Sequence, residues 1–345
     1  MATFLQAQGS RSLIAYIEET DWGQTLSAAS NWTGFRFVRE SMGRDINSFE
    51  SQELRSDRMI SAVLRGNQRA EGDISFELGP DSHNLLLRNT IGGNWSTTGS
   101  GPYTHILVPA TSDVAGGGYP QGMSFVKAFT DIPYYFLYAG CKVDSLSFDF
   151  PQEGIATCTA RILGKTETLT ASKPYETPLS YPAGDPYESN IAELYEATYN
   201  SAHTDIASMS WGSPIGIVTS ARFSITNTLD GGSFVLGSQN RYSLPQGRRR
   251  IEGTFSVLFK DTTYYTKFVN GTHVGLQIKA IDSTGTYSHT FQFPNVIYRG
   301  SRATPVIDGE GGLKMDIPFR AIRHANIGYD VRLTAVTAET IALYA

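Results

Sequence analysis

Residues 71–78 read E-G-D-I-S-F-E-L, and residues 252–259 read E-G-T-F-S-V-L-F. The second stretch begins 181 positions after the first (252 against 71). Glu, Gly and Ser coincide, and three apolar positions match. In the first, Ile74, Phe76 and Leu78 alternate with Asp73, Ser75 and Glu77; in the second, Phe255, Val257 and Phe259 alternate with Thr254 and Ser256. A period of two turns one apolar face of a strand toward a core. Each stretch follows an arginine-containing turn (Arg65 to Arg69, Gly247 to Arg250). Each then runs through an aspartate into a short helical pattern.

A looser echo lies further on. Pro151-Gln152-Glu153-Gly154 leads into Ile155 to Leu163, and Asp308-Gly309-Glu310-Gly311 leads into Leu313 to Ile322, at an interval of 157 (308 against 151). The common order of turn, strand, helix, late Glu-Gly turn and strand marks a duplicated architecture. The pattern Leu146, Phe148 and Phe150 against Ser145, Ser147 and Asp149 adds another strand. Short helices are expected from Asp81 or Ser82 to Gly92-Gly93, from Asp261 or Thr262 to Gly271, and from Ser189 to Tyr199. The fold class is all-β with short flanking helices.

Bulk composition agrees. The chain has 345 residues, 34 of them Gly, with 12% aromatic and 18% charged residues. Aromatics favour strands and glycines favour tight turns. The proline-bearing stretch 173–209 (Pro174, Pro178, Pro182, Pro186) resists strand pairing and reads as a linker. The expected organisation is an N-terminal arm 1–34, a first domain 35–172, the linker 173–209, a second domain 210–325 and a C-terminal arm 326–345.

Several function classes drop out. A formal net charge of −5 does not suit a tight grip on nucleic acid phosphates. Cys141 and Cys158 are too few for a disulfide scaffold. On the arms of a hairpin turning near Gln152, Cys141 faces a residue near Gly164, not Cys158, so two reduced thiols are expected. The N-terminus lacks the charged-then-apolar order of a signal peptide, and the longest apolar run is far below a membrane span. The six histidines show no metal-ligand spacing. There is no nucleophile elbow and no phosphate-cradling loop. Catalytic residues, metal and cofactors are therefore expected to be none.

The stretch from Arg39 to Ile60 differs from the rest. It is polar, long and lies between two strands, which marks a functional connection or a mobile loop. The functional reading is an arm reaching a neighbouring subunit through Arg44, Asp45, Glu50, Glu53, Arg55, Asp57 and Arg58, anchored by Phe49 or Met59. Arg248, Arg249 and Arg250 read as a solvated turn or a subunit contact.

Four features together resemble a known family. Tyr16 to Thr25 reads Y-I-E-E-T-D-W-G-Q-T. Glu40-Ser41 leads to a polar segment ending Arg55-Ser56-Asp57-Arg58. The Glu71-Gly72 strand follows, and then Cys141-Lys142-Val143-Asp144-Ser145-Leu146-Ser147 with the turn at 151–154. In this order they resemble the tail tube proteins of siphophages, in the larger form with two tube domains.

The resemblance implies two tandem tail-tube-like β-sandwich or split-barrel domains. It implies a homotrimeric ring with pseudo-sixfold symmetry, and rings stacked into a tube that conducts double-stranded DNA. It also implies tape measure, tail terminator and distal tail proteins as partners, a place in the virion, and assembly in the host cytoplasm. Asp73, Ser75, Glu77, Ser145, Ser147 and Asp149 are the candidates for the lumen wall. The rivals are another tube-fold tail protein (distal tail, terminator or baseplate hub), a type VI secretion tube protein, which is typically single-domain, and a carbohydrate-binding tail-fibre sandwich with Tyr134-Tyr135-Phe136-Tyr138 as its platform.

Overall fold

The computed structural model describes residues 8–24, 26, 30–54, 56–57, 59–110, 121–182, 184–300, 304–305, 307 and 312–339. Alternating sequence produces eighteen strands. In the first half these are β1 (Ser12–Glu19), β2 (Thr33–Phe35), β3 (Arg39–Glu40), β4 (Gly43–Glu50), β5 (Val63–Glu77), β6 (Trp95–Thr98), β7 (Tyr103–Leu107), β8 (Gly122–Phe129), β9 (Ile132–Phe150), β10 (Thr157–Gly164) and β11 (Thr166–Thr170), with helix α1 (Asn84–Ile91) after β5. The second half has β12 (Glu193–Thr198), β13 (Val218–Thr226), β14 (Arg250–Leu258), β15 (His273–Ile281), β16 (Ser288–Tyr298), β17 (Lys314–Ala321) and β18 (Arg332–Thr337), with α2 (Thr263–Asn270) after β14.

The pairings of one half recur in the other. β1–β8 is matched by β12–β15, and β3 and β4 on β5 by β13 on β14. β5–β10 is matched by β14–β17, β8–β9 by β15–β16, β9–β10 by β16–β17, and β9–β11 by β16–β18. Register agrees as well. Gly72 stands opposite Ile162, and Gly253 opposite Phe319. The paired strands keep intervals of 181 and 157, the same two that separate the sequence echoes.

The shared Glu-Gly has a packing cause. A Cβ at Gly72 would meet the Met42 backbone nitrogen at 2.6 Å, and one at Gly253 would meet the Arg222 carbonyl oxygen at 2.6 Å and the Phe319 ring at 2.5 Å. Only glycine lets those neighbours cross the core face so closely. The opening motif is a knot of buried polar groups. Glu19, 2% exposed, accepts from Gly23 N–H (2.6 Å), Ser124 Oγ (2.5 Å) and Gly140 N–H (2.7 Å), while Trp22 Nε1 donates to the Gly140 carbonyl (2.9 Å). It fixes β1 to β8 and to the middle of β9.

Several expectations are corrected. The helix expected over Ser189–Tyr199 is a single 3-10 turn, Ser189–Ile191, followed by strand β12. Leu194 there turns into the main core and Ala197, on the opposite face, packs with Ile206 and Met209, an arrangement fixed by pairing with β15. Strands β1, β12 and β18 fall in the stretches expected to be arm, linker and arm, because each completes a sheet. The polar stretch 39–60 is strand as far as Glu50, in β3 and β4, and β4 forms a hairpin with β5, with Phe49 opposite Leu64; the described residues of 51–60 are its irregular tip. α1 and α2 lie where expected, and α2 is capped by Asp261 accepting from Thr263 N–H at 2.8 Å. The Asp308–Gly311 turn and the Gly116–Gly118 tract lie outside the described residues. Cys141 and Cys158 are free buried thiols, pushed up in pKa by burial, and Cys141 Sγ lies beside Gly164.

Two fully buried histidines sit in the core with one ring nitrogen bonded and the other not. His83 Nε2 bonds the Arg36 carbonyl (2.9 Å), and His289 Nδ1 bonds the Tyr187 hydroxyl (2.8 Å). Burial pulls both from the usual 6.5 down to about 3. The folded protein therefore keeps them neutral where the unfolded chain takes up protons, so stability falls as pH drops from about 6.5 toward about 3. Urea midpoints measured between pH 7 and pH 4 should decline, and His289→Gln should flatten that decline. An equally steep decline in the variant would assign it to other groups.

Candidate assembly surface

One sheet runs through both halves in the order β5–β10–β9–β13–β14–β17. Its inner face is buried and apolar: Ile74, Phe76, Leu146, Phe148, Phe223, Phe255 and Phe319. Its outer face is polar. Ser75, Thr159, Ser147, Ser224, Glu252 and Arg320 form one row across all six strands. Acids stand opposite bases on it: Asp73 across from Arg161, Asp149 across from Arg222, and Glu252 ion-paired with Arg320. All six polar-strand candidates, Asp73, Ser75, Glu77, Ser145, Ser147 and Asp149, share this face. The alternation showed their common orientation; of the compensating arginines, Arg161 and Arg320 lie in the strands expected after the late turns, and Arg222 lies in β13, which no sequence pattern marked. A depression of about 720 Å³ lies over the same strands, lined among others by Asp149, Arg222, Glu252 and Arg320.

The two halves meet along two ladders: β7 with β18, from Leu107 opposite Leu333 to Tyr103 opposite Thr337, and β9 with β13, from Phe150 opposite Ala221 to Ser145 opposite Thr226. Beneath the ladder Phe148 stacks on Phe223 with centroids 4.5 Å apart, and Phe291 packs edgewise on Phe223 at 5.1 Å. Asn227 ends the ladder, its Nδ2 donating to the carbonyls of Thr90 and Val143 (both 3.0 Å). The connection 227–249 then folds back over the first half. Its Arg241, 2% exposed, donates to the carbonyls of Gly231 (3.0 Å), Ala70 (3.1 Å) and Gly164 (2.8 Å) and to Glu71 Oε2 (2.7 Å). No sequence signal marked Arg241, since its partners are mostly carbonyls.

The corresponding connection in the first half is the β4–β5 hairpin, which projects. Phe49 (61% exposed), Leu54 (102%) and Met59 (68%) make its surface apolar, together with Ile60, Val63 and Leu64. Asp45 and Glu50 are exposed. Glu53 accepts from Ser61 Oγ, and Asp57 from Met59 N–H. Arg44 pairs with Glu167 of its own chain at 3.5 Å. Arg55 and Arg58 lie outside the described residues.

The arginine run divides. Arg248 and Arg250 are exposed, whereas Arg249 grips Asp330 (3.1 and 2.7 Å) and the Ile91 carbonyl (2.6 Å) within the chain. Arg249 is thus spent on the fold and withdrawn as a contact candidate. Among the described residues no group of three metal-ligating side chains gathers, and no helix is long and apolar enough to cross a membrane.

A duplicated all-β chain with one polar, charge-compensated face and an apolar projecting hairpin defines a structural assembly protein. The family profile described as phage tail tube protein matches residues 9–321, and the chain belongs to that family. It is a structural component of a phage tail, placed in the virion and built to self-assemble with other tail proteins into a tube. No curated protein matches it.

Arg241→Ala should lower folding stability by about 2–3 kcal/mol, since it strands buried carbonyls and one carboxylate. Denaturant unfolding of the monomer checks this. A change within a few tenths would remove Arg241 from the joint.

Proposed function

We propose that three copies close into a pseudo-sixfold ring, and that stacked rings form the tail tube of a siphophage. The observation that carries this is the joint of β9 with β13, where two like-built halves already share a sheet side by side. Repeating that joint between chains makes each chain two of six wall units. Closure removes the exposed edges of an open sheet. Head-to-tail stacking is a heterologous contact and extends indefinitely.

The shared polar face is proposed as the lumen wall for double-stranded DNA on its way to the host. Expected as acidic and neutral, that face also carries arginines. With each arginine opposite a carboxylate, the wall offers phosphates little net attraction and little counterion release. DNA then slides and is not held. The apolar hairpin is proposed as the contact to a neighbouring subunit in the next ring, and Arg248 and Arg250 as lesser contacts. Tape measure, terminator and distal tail proteins are the proposed partners, and assembly takes place in the host cytoplasm. The role is mechanical and needs no catalytic group.

Negative-stain microscopy and mass photometry of the purified chain test the ring. Tubes and three-chain particles are expected; six-chain rings, or monomers alone at high concentration, would sink the proposal. Leu54→Ser with Met59→Ser should leave the monomer's melting temperature unchanged and prevent stacking, and full-length tubes from this variant would move the contact elsewhere.

The lumen is tested by charge. Asp149→Asn with Glu252→Gln leaves Arg222 and Arg320 uncompensated. Such tubes should retain labelled duplex DNA at low salt and release it as salt rises, whereas unaltered tubes should not retain it. No difference between the two would place this face outside the channel.

A further inference from the structure

The β4–β5 hairpin leaves one end of the sheet, and two surface hollows lie at the other. β5 starts at the hairpin, with Val63 opposite Glu50, and ends with Glu77 opposite Thr157. Thr157 also stands opposite Asp149, Phe150 opposite Ala221, and Val218 opposite Val257. The last residues of β5, β9 and β14 and the first of β10 and β13 therefore share the end away from the hairpin.

Each half has one hollow at that end, in corresponding places. The first, about 310 Å³, is lined by Leu13, Phe37, Val38 and Glu77, among others; the second, about 420 Å³, by Glu193, Val218, Thr219 and Leu258, among others. Phe37 and Val218, Val38 and Thr219, and Glu77 and Leu258 all keep the interval of 181 at which β3 on β5 repeats as β13 on β14. Leu13 and Glu193 lie at the starts of β1 and β12.

The two hollows differ in chemistry. Tyr181 and Pro186 reach over the first, and Arg36 Nη1 on its wall donates to the carbonyls of Pro182 (3.4 Å) and Gly184 (2.6 Å). That strap does not line the second hollow, which is apolar. Buried Leu194 and Ile278 and half-buried Ile215 and Val218 form it with Pro214, and Leu258 stands exposed where the first half has Glu77. Glu193 is the one charged residue on its lining.

We propose that the second-half hollow is the socket for the hairpin of a chain in the next ring, that Leu54, Met59 and Ile60 enter it, and that the first-half hollow takes none. The inference rests on the stacking reading and adds the receiving site. The occupant is a second copy because the chain carries the complement itself. An apolar projection and an apolar hollow at opposite ends of one molecule make a heterologous contact, which repeats without closing. The consequence is a register. Two like-built halves would let a ring settle on its neighbour at any sixth of a turn, whereas one apolar socket in each pair admits only thirds. Glu77 enforces the choice, since an apolar tip in the first hollow would strip water from a carboxylate and return no hydrogen bond.

Disulfide cross-linking within tubes is the direct test. Gly216 lies exposed on the second hollow, with nothing within 4 Å of the place a Cβ would take, and Val38 lies exposed on the first. Cys141 and Cys158 are buried and do not compete. Leu54→Cys with Gly216→Cys, assembled and then treated with a thiol oxidant, should give a ladder of linked chains on a non-reducing gel. Leu54→Cys with Val38→Cys should stay single-chain. Links at Val38 as strong as those at Gly216, or formed tubes with links at neither, would overturn the socket. Leu258→Glu gives the second hollow the carboxylate of the first. With the monomer's melting temperature and the three-chain ring unchanged, it should raise the concentration needed for tubes at least tenfold; tubes at the normal concentration would likewise remove the socket. If the unaltered chain never forms tubes, the stacking reading fails, and that is seen before any variant is compared.

Discussion

The pairing of β9 with β13 is the contact on which the remaining structure depends. It lays the Phe148–Phe223 stack across the seam of two halves that are joined elsewhere only through the shorter β7–β18 ladder among the named strands. Each fully buried phenylalanine there contributes about 1.5–3 kcal/mol of transfer free energy, so the stack outweighs any single hydrogen bond on the joint. The polar face above the seam follows from the same pairing. Residues that alternate with the buried phenylalanines must point the other way, and so Ser147, Asp149, Arg222 and Ser224 line up without separate provision.

The halves diverge most where the joint has to end. Residues 227–249 and 46–68 are connections of equal length at matching positions, flanked by strands in the same register. The first folds back, and Arg241 fills the hydrogen-bonding capacity of the neighbouring half. The second extends as a hairpin whose apolar residues meet solvent. A chain does not expose Leu54, Met59 and Ile60 together for its own stability, because no burial repays them within it. The connection 227–249 is held against the first half, whereas Leu54, Met59 and Ile60 of 46–68 stand exposed.

Much of this was legible in the residues. The Glu-Gly strands and the late turns carried intervals of 181 and 157, and both reappear as registers of hydrogen-bonded strands. Alternation placed Asp73 and Ser147 on a polar face, and counting across the hairpin at Gln152 set Cys141 near Gly164. What stayed hidden depends on distant partners. Glu193–Thr198 carries residues equally at home in a helix, and only the edge of β15 makes it a strand. The stretch 39–60 is too polar to show a strand period, and its hairpin is held by register with β5 rather than by a core. Arg241 and Arg249 look alike in sequence to Arg248, yet two are built into the fold and one is in water.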